Sequence, residues 1–195
     1  MIDGLKYIPF ISEGEESSLI QIIDQQPWLT DLKRRTQHYG YKYDYTRKTI
    51  DSSLYLGPLP TWLDPYLDRL VERNIFTERP DQVIVNEYKV GQGISRHCDC
   101  VTCFKDTIAS LSLASTCAME FERISDGKTG SMLLGPRDLL VLTGEARYDW
   151  MHSIPARAGD QWGEKIFPRY RRISLTFRNV IKESNVSISE VSYSN

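Results

Sequence analysis

Two spacings of apolar residues divide the chain at about residue 82. Upstream, Ser12 and Glu15 stand three apart, as the two halves of a capping box do. Leu19, Ile20, Ile22 and Ile23 then supply an apolar stripe, so a helix is predicted from there to about Gln26, before Pro27. A second helix is predicted near 61–73, with Leu63, Leu67, Leu70 and Val71 on one face. Downstream the period shortens. QVIVNEY, TIASLSLAS, AMEFER, SMLLG, DLLVLTG and RISLTFRNV follow one another, separated by Gly, Pro and Asp clusters. Short β-branched runs at that spacing predict a sandwich or closed barrel. The fold class is therefore mainly β with N-terminal helices. Between the helices, residues 31–50 interleave tyrosines with basic residues. After Lys182 the sequence is polar and serine-rich, and 183–195 reads as a loose tail.

Length and composition narrow the class. A chain of 195 residues with 41% hydrophobic and 26% charged residues suits one soluble domain. Its formal charge of -2 gives no overall attraction to polyanions, so binding to nucleic acid must rest on a local patch. No run approaches the roughly 18 apolar residues that cross a bilayer. The N-terminus turns acidic too early for a signal peptide. Cys98, Cys100 and Cys103 are too crowded for a secreted disulfide framework. They read as packing or surface thiols in a reducing, cytoplasmic setting. Zinc held by these thiols is the weaker alternative, since no second cysteine pair completes a four-ligand site.

Histidine is scarce: His38, His97 and His152 are the full set. In an extended segment, positions i and i+2 share a face, so His97 and Asp99 would project together. Cys98 and Cys100 would then face away. His152 follows the apolar run DLLVLTG and supplies a distant partner. Two histidines and one carboxylate make a facial triad, which leaves positions on Fe(II) for a chelating co-substrate and O2. His-x-Asp alone is a weak signal, and a turn histidine beside a solvated aspartate would look the same.

The segment Arg172–Arg178 alternates strictly. Ile173, Leu175 and Phe177 form one face; Arg172, Ser174, Thr176 and Arg178 form the other. An edge strand shows this pattern too. Inside a barrel, however, such a face needs a ligand to satisfy it, and a buried guanidinium suits a carboxylate. Asn86 and Tyr88 share a face on VIVNEY and can donate to carboxylate oxygens. The two arginines stand roughly 20 Å apart along the strand, too far to share one carboxylate. Arg172 is assigned to the far end of a dicarboxylate. Arg178 is assigned nearer the metal, on the chelating end or steadying Asp99.

Together Asn86-x-Tyr88, His97-x-Asp99, Gly144-Glu145-Ala146-Arg147 leading to His152, and Arg172-x5-Arg178 resemble the AlkB family of Fe(II)/2-oxoglutarate dioxygenases. The match runs over about residues 82–180. Within the family, QHYGYKYDY, NEYKVGQGISRHCD, IASLSLAS and GEARYDW are most similar to the dioxygenase domain of the homologue that hydroxylates a wobble-uridine modification in tRNA. The resemblance implies a double-stranded β-helix, or jelly roll. It implies one domain over 1–182, with helices and a lid to about residue 80 and a β core over 81–180. Fe(II) would sit on His97, Asp99 and His152, and 2-oxoglutarate on Asn86, Tyr88, Arg172, Ser174 and Arg178. O2 is the third reactant.

The substrate implied is a modified base in single-stranded DNA or RNA, including tRNA. The Gln37–Tyr43 stretch is similar to the family's substrate-facing lid. Lys33, Arg34, Arg35, Lys42, Arg47 and Lys48 would track phosphates there, and Tyr39, Tyr41, Tyr43 and Tyr45 would stack on bases or line a wall. An edge hairpin whose tyrosines pack on the barrel and whose basic residues are solvated would look the same. Arg147 is expected at the mouth of the site, meeting substrate or pairing with an acid. Residues 156–170 are expected to form a long loop that gates access. Base-demethylating relatives often carry an acid two positions after the metal aspartate; here that position is Val101. Two other readings stay open: the same chemistry on a protein side chain or small molecule, and a silent binding module on the same barrel.

Overall fold

The four-residue capping signal works as read. In the computed structural model, which describes residues 2–182, α1 spans Glu13–Gln25. Ser12 and Glu15 cap it reciprocally. The second helix opens with a 3-10 turn at Thr61–Leu63 and continues as α2, Asp64–Glu72, where Pro65 preorganises the first turn. Its buried side is Tyr66, Leu67 and Leu70, with Val71 only half-buried.

Both helices cover one face of a six-stranded antiparallel sheet. Its spatial order is β1 (Leu5–Pro9), β8 (Asp138–Leu142), β5 (Ile108–Leu113), β12 (Arg172–Arg178), β3 (Gln82–Tyr88) and β2 (Arg35–Tyr39). Period-two alternation sorts each strand between two environments. Val83, Val85, Ala109, Leu111, Leu139, Val141, Ile173, Leu175 and Phe177 pack with Leu19, Ile23, Leu67 and Leu70 into one core. Their alternate neighbours turn the other way, into the barrel.

The second sheet has four strands in the order β4 (Ile94–His97), β9 (Trp150–Ile154), β6 (Cys117–Arg123) and β7 (Thr129–Leu134). It faces the first across a second apolar cluster that includes Phe104, Met119, Phe121, Leu140 and Trp150. Apart from the β2–β3 and β6–β7 pairs, neighbouring strands of the two sheets are non-consecutive, the wiring of a jelly roll rather than of simple hairpins. A one-turn helix, α3 (Gly144–Tyr148), links β8 to β9.

Residues 156–170 are not an irregular loop. They hold a hairpin of β10 (Gly159–Trp162) and β11 (Lys165–Pro168). Asp160, fully buried at its base, accepts from Arg169 at 2.6 and 2.7 Å, from Arg157 at 2.7 Å and from the Ala118 amide at 3.0 Å. The expected tail, 183–195, lies outside the described residues.

Candidate active site

The two sheets enclose a cavity of about 380 Å³. Its walls are the inward alternates of the strands: Ile84, Ile108, Leu140 and Leu142 supply apolar surface, while Asn86, Tyr88, Arg172, Ser174, Thr176 and Arg178 supply polar groups. Seven of the eight residues expected to hold metal or co-substrate share this wall with Asp99, which completes the eight.

At one end, antiparallel pairing of β4 with β9 sets His97 directly opposite His152. Their ring centroids are 4.5 Å apart. Asp99 reaches the same place by a different route from the one expected. β4 ends at His97, so Asp99 projects from the turn beyond the strand rather than from an alternate strand position. Its Oδ2 lies 3.8 Å from His152 Nε2. Its Oδ1 accepts from Arg178 Nη2 at 2.6 Å, so Arg178 steadies the aspartate.

Protonation favours ligation. Burial pushes His152 down to about 4, which leaves the neutral imidazole that a metal requires. Burial alone would raise the pKa of Asp99, but neighbouring charge, Arg178 foremost, outweighs it and holds the carboxyl well below the usual range. His97 Nδ1 lies 2.7 Å from the Ser95 carbonyl. A carbonyl only accepts, so Nδ1 carries the hydrogen and Nε2 keeps its lone pair.

Among the described residues no group of three His, Cys, Asp or Glu side chains already forms an ion-holding cluster. The 3.8 Å between Asp99 and His152 exceeds the roughly 3 Å between neighbouring ligands of a first-row ion with bonds of about 2.1 Å. The difference is below 1 Å. The donor set itself is the one that suits Fe(II), so the residues fit the ion in kind and place.

The other end is built for an anion. β12 pairs with β3 so that Arg172 lies opposite Tyr88 and Ser174 opposite Asn86. Arg172 is 3% exposed. Its Nη2 donates to Ser112 Oγ at 2.7 Å, but Nε and Nη1 have no partner. Arg172 makes no ion pair among the described residues. Two idle donors on one buried guanidinium match the two oxygens of a carboxylate. Burial raises the pKa of Tyr88, which keeps the phenol hydrogen available for donation. Asn86 Oδ1 accepts from Arg34 Nε at 2.8 Å, leaving its amide N–H groups to donate.

The mouth is only partly the one expected. Arg34, Tyr43, Tyr45 and Lys48 line the cavity. Tyr43 stacks edge-on against Tyr45 at 5.0 Å, and the Arg34 guanidinium lies 5.8 Å from the Tyr45 ring. His38 Nδ1 accepts from the Tyr43 amide at 3.3 Å and anchors this stretch. Tyr41, expected to meet substrate, does not line the cavity; it packs on Tyr55 at 5.0 Å. Arg35 is forked onto Glu87 at 2.6 and 2.7 Å, and Arg47 is paired with Asp44 at 2.7 Å. Neither is free for phosphate.

Three further expectations are corrected. Arg147 is 2% exposed and absent from the cavity wall; it reaches backbone carbonyls, neither substrate nor an acid. Nor does any side chain of the 156–170 hairpin line the cavity. Cys98 and Cys100 do not face away but line the wall, because the chain leaves β4 before them. Cys100 is bonded to Cys103 as a disulfide rather than left as a thiol. The crowding that argued against disulfides at large permits this one, since a turn brings the Cα atoms within 5.3 Å.

Comparison with known proteins agrees with this geometry. The family described as the 2OG-Fe(II) oxygenase superfamily matches residues 13–178. The "Alkylated DNA repair protein ALKBH8 homolog" of Arabidopsis thaliana is 38% identical, over 92% of this chain and 59% of its own length. The "tRNA (carboxymethyluridine(34)-5-O)-methyltransferase ALKBH8" of Macaca fascicularis is 38% identical, over 77% of this chain and 24% of its own. The chain thus spans less than two thirds of either relative. The solved structure of OsALKBH1 superposes with a TM-score of 0.68 at 16% identity, covering 90% of this chain and 98% of that one, and shares the fold. The chain belongs to the 2OG-Fe(II) oxygenase superfamily and is a dioxygenase of its AlkB branch, requiring Fe(II), 2-oxoglutarate and O2.

Proposed function

We propose that the enzyme oxidises a C–H bond on a modified base of a nucleic acid, with tRNA the favoured carrier. One observation carries this reading. Four cationic side chains, Arg34, Lys48, Arg172 and Arg178, line the cavity against one carboxylate, Asp99. Arg178 is spent on Asp99, and Arg172 suits the co-substrate. Arg34 and Lys48 remain at the mouth without an ion pair among the described residues. A chain of net charge -2 that gathers unpaired cations at its site selects an anionic substrate. Tyr43 and Tyr45 beside them offer the ring faces on which a flipped base stacks.

The residues divide the work. His97, Asp99 and His152 would hold the metal, with Arg178 fixing the carboxylate of Asp99. Arg172, Asn86, Tyr88 and Ser174 would hold 2-oxoglutarate. When bound, the metal and co-substrate supply the oxidising power: 2-oxoglutarate loses CO2 and becomes succinate while one oxygen atom enters the substrate. The apolar wall of Ile84, Ile108, Leu140 and Leu142 keeps bulk water from the reacting centre.

Val101 bears on the base. It is 50% exposed and has no acceptor for an exocyclic amine. The absence of an acid there favours a uracil-type ring over adenine or cytosine. Support comes also from the relatives, whose names refer to alkylated DNA and to carboxymethyluridine in tRNA.

The test is direct. The protein is incubated with Fe(II), ascorbate, 2-oxoglutarate and either bulk tRNA or methylated oligonucleotides, and nucleosides are resolved by mass spectrometry. A new hydroxylated uridine in the tRNA pool is expected. Consumption of 2-oxoglutarate with neither pool changed would move the substrate to a protein side chain or small molecule.

A further inference from the structure

Arg147 is a buried cation that neither the co-substrate nor the substrate reading uses. It projects from α3 into the turn that follows β4. Nη1 donates to the Asp99 carbonyl at 2.9 Å. Nη2 donates to the Cys100 carbonyl at 3.0 Å and, at 3.5 Å, to that of Phe104. Nε has no partner. Among the described residues Arg147 makes no ion pair. Its guanidinium also lies 4.9 Å from the centre of the Tyr148 ring. Burying a guanidinium with no carboxylate partner is costly, and an apolar residue of similar volume would fill the space at less expense.

What that arrangement holds is specific. All three carbonyls belong to one turn, Asp99–Phe104. The far end of the turn is tied to the chain beyond β12: the Lys105 amide donates to the Asn179 carbonyl at 2.9 Å and the Ile181 amide to the Cys103 carbonyl at 2.8 Å. The near end carries Asp99. There one guanidinium, Arg178, grips the carboxylate and a second, Arg147, grips the main chain. Arg147 also stands five residues before His152, on the helix that runs straight into β9. Its side chain therefore joins the two segments that present Asp99 and His152.

We propose that Arg147 is a positioning residue that sets the spacing between Asp99 and His152. It does so by fixing the Asp99–Phe104 turn against α3. This rests on the reading of His97, Asp99 and His152 as metal ligands. The fork geometry matters as much as the charge, because three carbonyls in different directions require several donors in one plane. Lysine keeps the charge but offers a single point of attachment. Methionine keeps much of the volume and offers no donor.

The test uses the full chain stripped of metal and titrated with Mn(II) alone by calorimetry, below the melting temperature of each variant. Arg147→Lys is expected to weaken Mn(II) binding about 10-fold and Arg147→Met about 100-fold, the range seen when groups that orient ligands are lost. Affinity for 2-oxoglutarate, measured at saturating Mn(II), is expected to stay within about two-fold of wild type, since the Arg172 end is untouched. A merely structural role would lower the melting temperature and leave Mn(II) affinity of the folded protein unchanged; that result in Arg147→Lys overturns the proposal. If Arg147→Met does not fold, Arg147→Lys decides alone. His97→Ala serves as the control. Wild-type Mn(II) binding in that variant would refute the ligand assignment itself, whereas its loss with Arg147→Lys unaffected would refute only the positioning role.

Discussion

Arg172→Met should do two opposite things, and the pair of effects tests why the arginine is there. The ligand-free protein buries this guanidinium at 3% exposure with Nε and Nη1 unmade. A buried unsatisfied donor costs about 1–3 kcal/mol. Methionine removes both idle donors and keeps most of the volume, at the expense of the 2.7 Å bond to Ser112 Oγ, itself worth about 1 kcal/mol. The ligand-free variant should therefore be more stable by about 1–5 kcal/mol. For a chain of this size that is roughly 2–20 °C in Tm. The co-substrate suffers the reverse. Two charge-assisted bonds at about 1.5–3 kcal/mol each are lost, so affinity for 2-oxoglutarate should fall by about 10²- to 10⁴-fold. Thermal melts with and without Mn(II) and 2-oxoglutarate read both effects at once. Wild type should gain Tm on adding 2-oxoglutarate, and the variant should start higher and gain nothing. A variant that melts below wild type, or whose half-saturation for 2-oxoglutarate moves less than about three-fold, refutes the reasoning.

Other perturbations bear on the lid, the turn and the hairpin. Reducing the Cys100–Cys103 disulfide, whose partners are three residues apart, removes a short-loop constraint worth about 2 kcal/mol. Tm should drop by roughly 4–8 °C in dithiothreitol; identical melts with and without reductant would contradict a formed bond. His38 is pushed down to about 4 by burial first and then by the charges of Lys42 and Arg178. The unfolded chain, with an ordinary value of about 6.5, takes up the proton first. The contribution of neutral His38 is thus complete above about pH 6.5 and is lost as pH falls toward 4, a matter of about 1–3 kcal/mol. His38→Gln should flatten the acid side of a Tm–pH curve, and an equally steep slope in the variant would exclude His38 as its source. Asp160→Asn strips a fully buried carboxylate of its charge beside Arg157 and Arg169, a loss of about 3–5 kcal/mol. Half-saturation for 2-oxoglutarate should nevertheless hold steady below the melting range, and a rise would make the β10–β11 hairpin part of the site after all.

Much of the site was legible because it rests on strict alternation. In Arg172–Arg178 every second residue faces the cavity and the others face the helices, as the polar and apolar faces require. Asn86 and Tyr88 followed by the same rule. The capping box at Ser12 and Glu15 was legible because both partners lie within one turn. β1 escaped because five residues ending in Pro9 carry too little pattern, and they become a strand only by pairing with β8. The β10–β11 hairpin escaped because its apolar residues, Trp162 and Ile166 among them, are exposed and show no inward face.

Charge was the least legible property, for a physical reason. A sequence states how many cations a segment carries, but their availability depends on partners far along the chain. Six basic residues in 31–50 looked equivalent as phosphate contacts. Arg35 is neutralised by Glu87, 52 residues away, and Arg47 by a neighbour within its own turn. Arg34 escapes pairing because the residue it reaches, Asn86, is uncharged. Arg147 shows the converse: placed where a substrate contact was expected, it is consumed by carbonyls 43–48 residues away. Of the cations that line the cavity, Arg172 deep in the barrel and Arg34 with Lys48 at its mouth make no ion pair among the described residues. Unpaired charge held apart in this way is a demand for anions from outside. It calls for one at the buried end, which a dicarboxylate meets, and another at the rim, which a phosphate-bearing strand would meet without any change in the net charge of the protein.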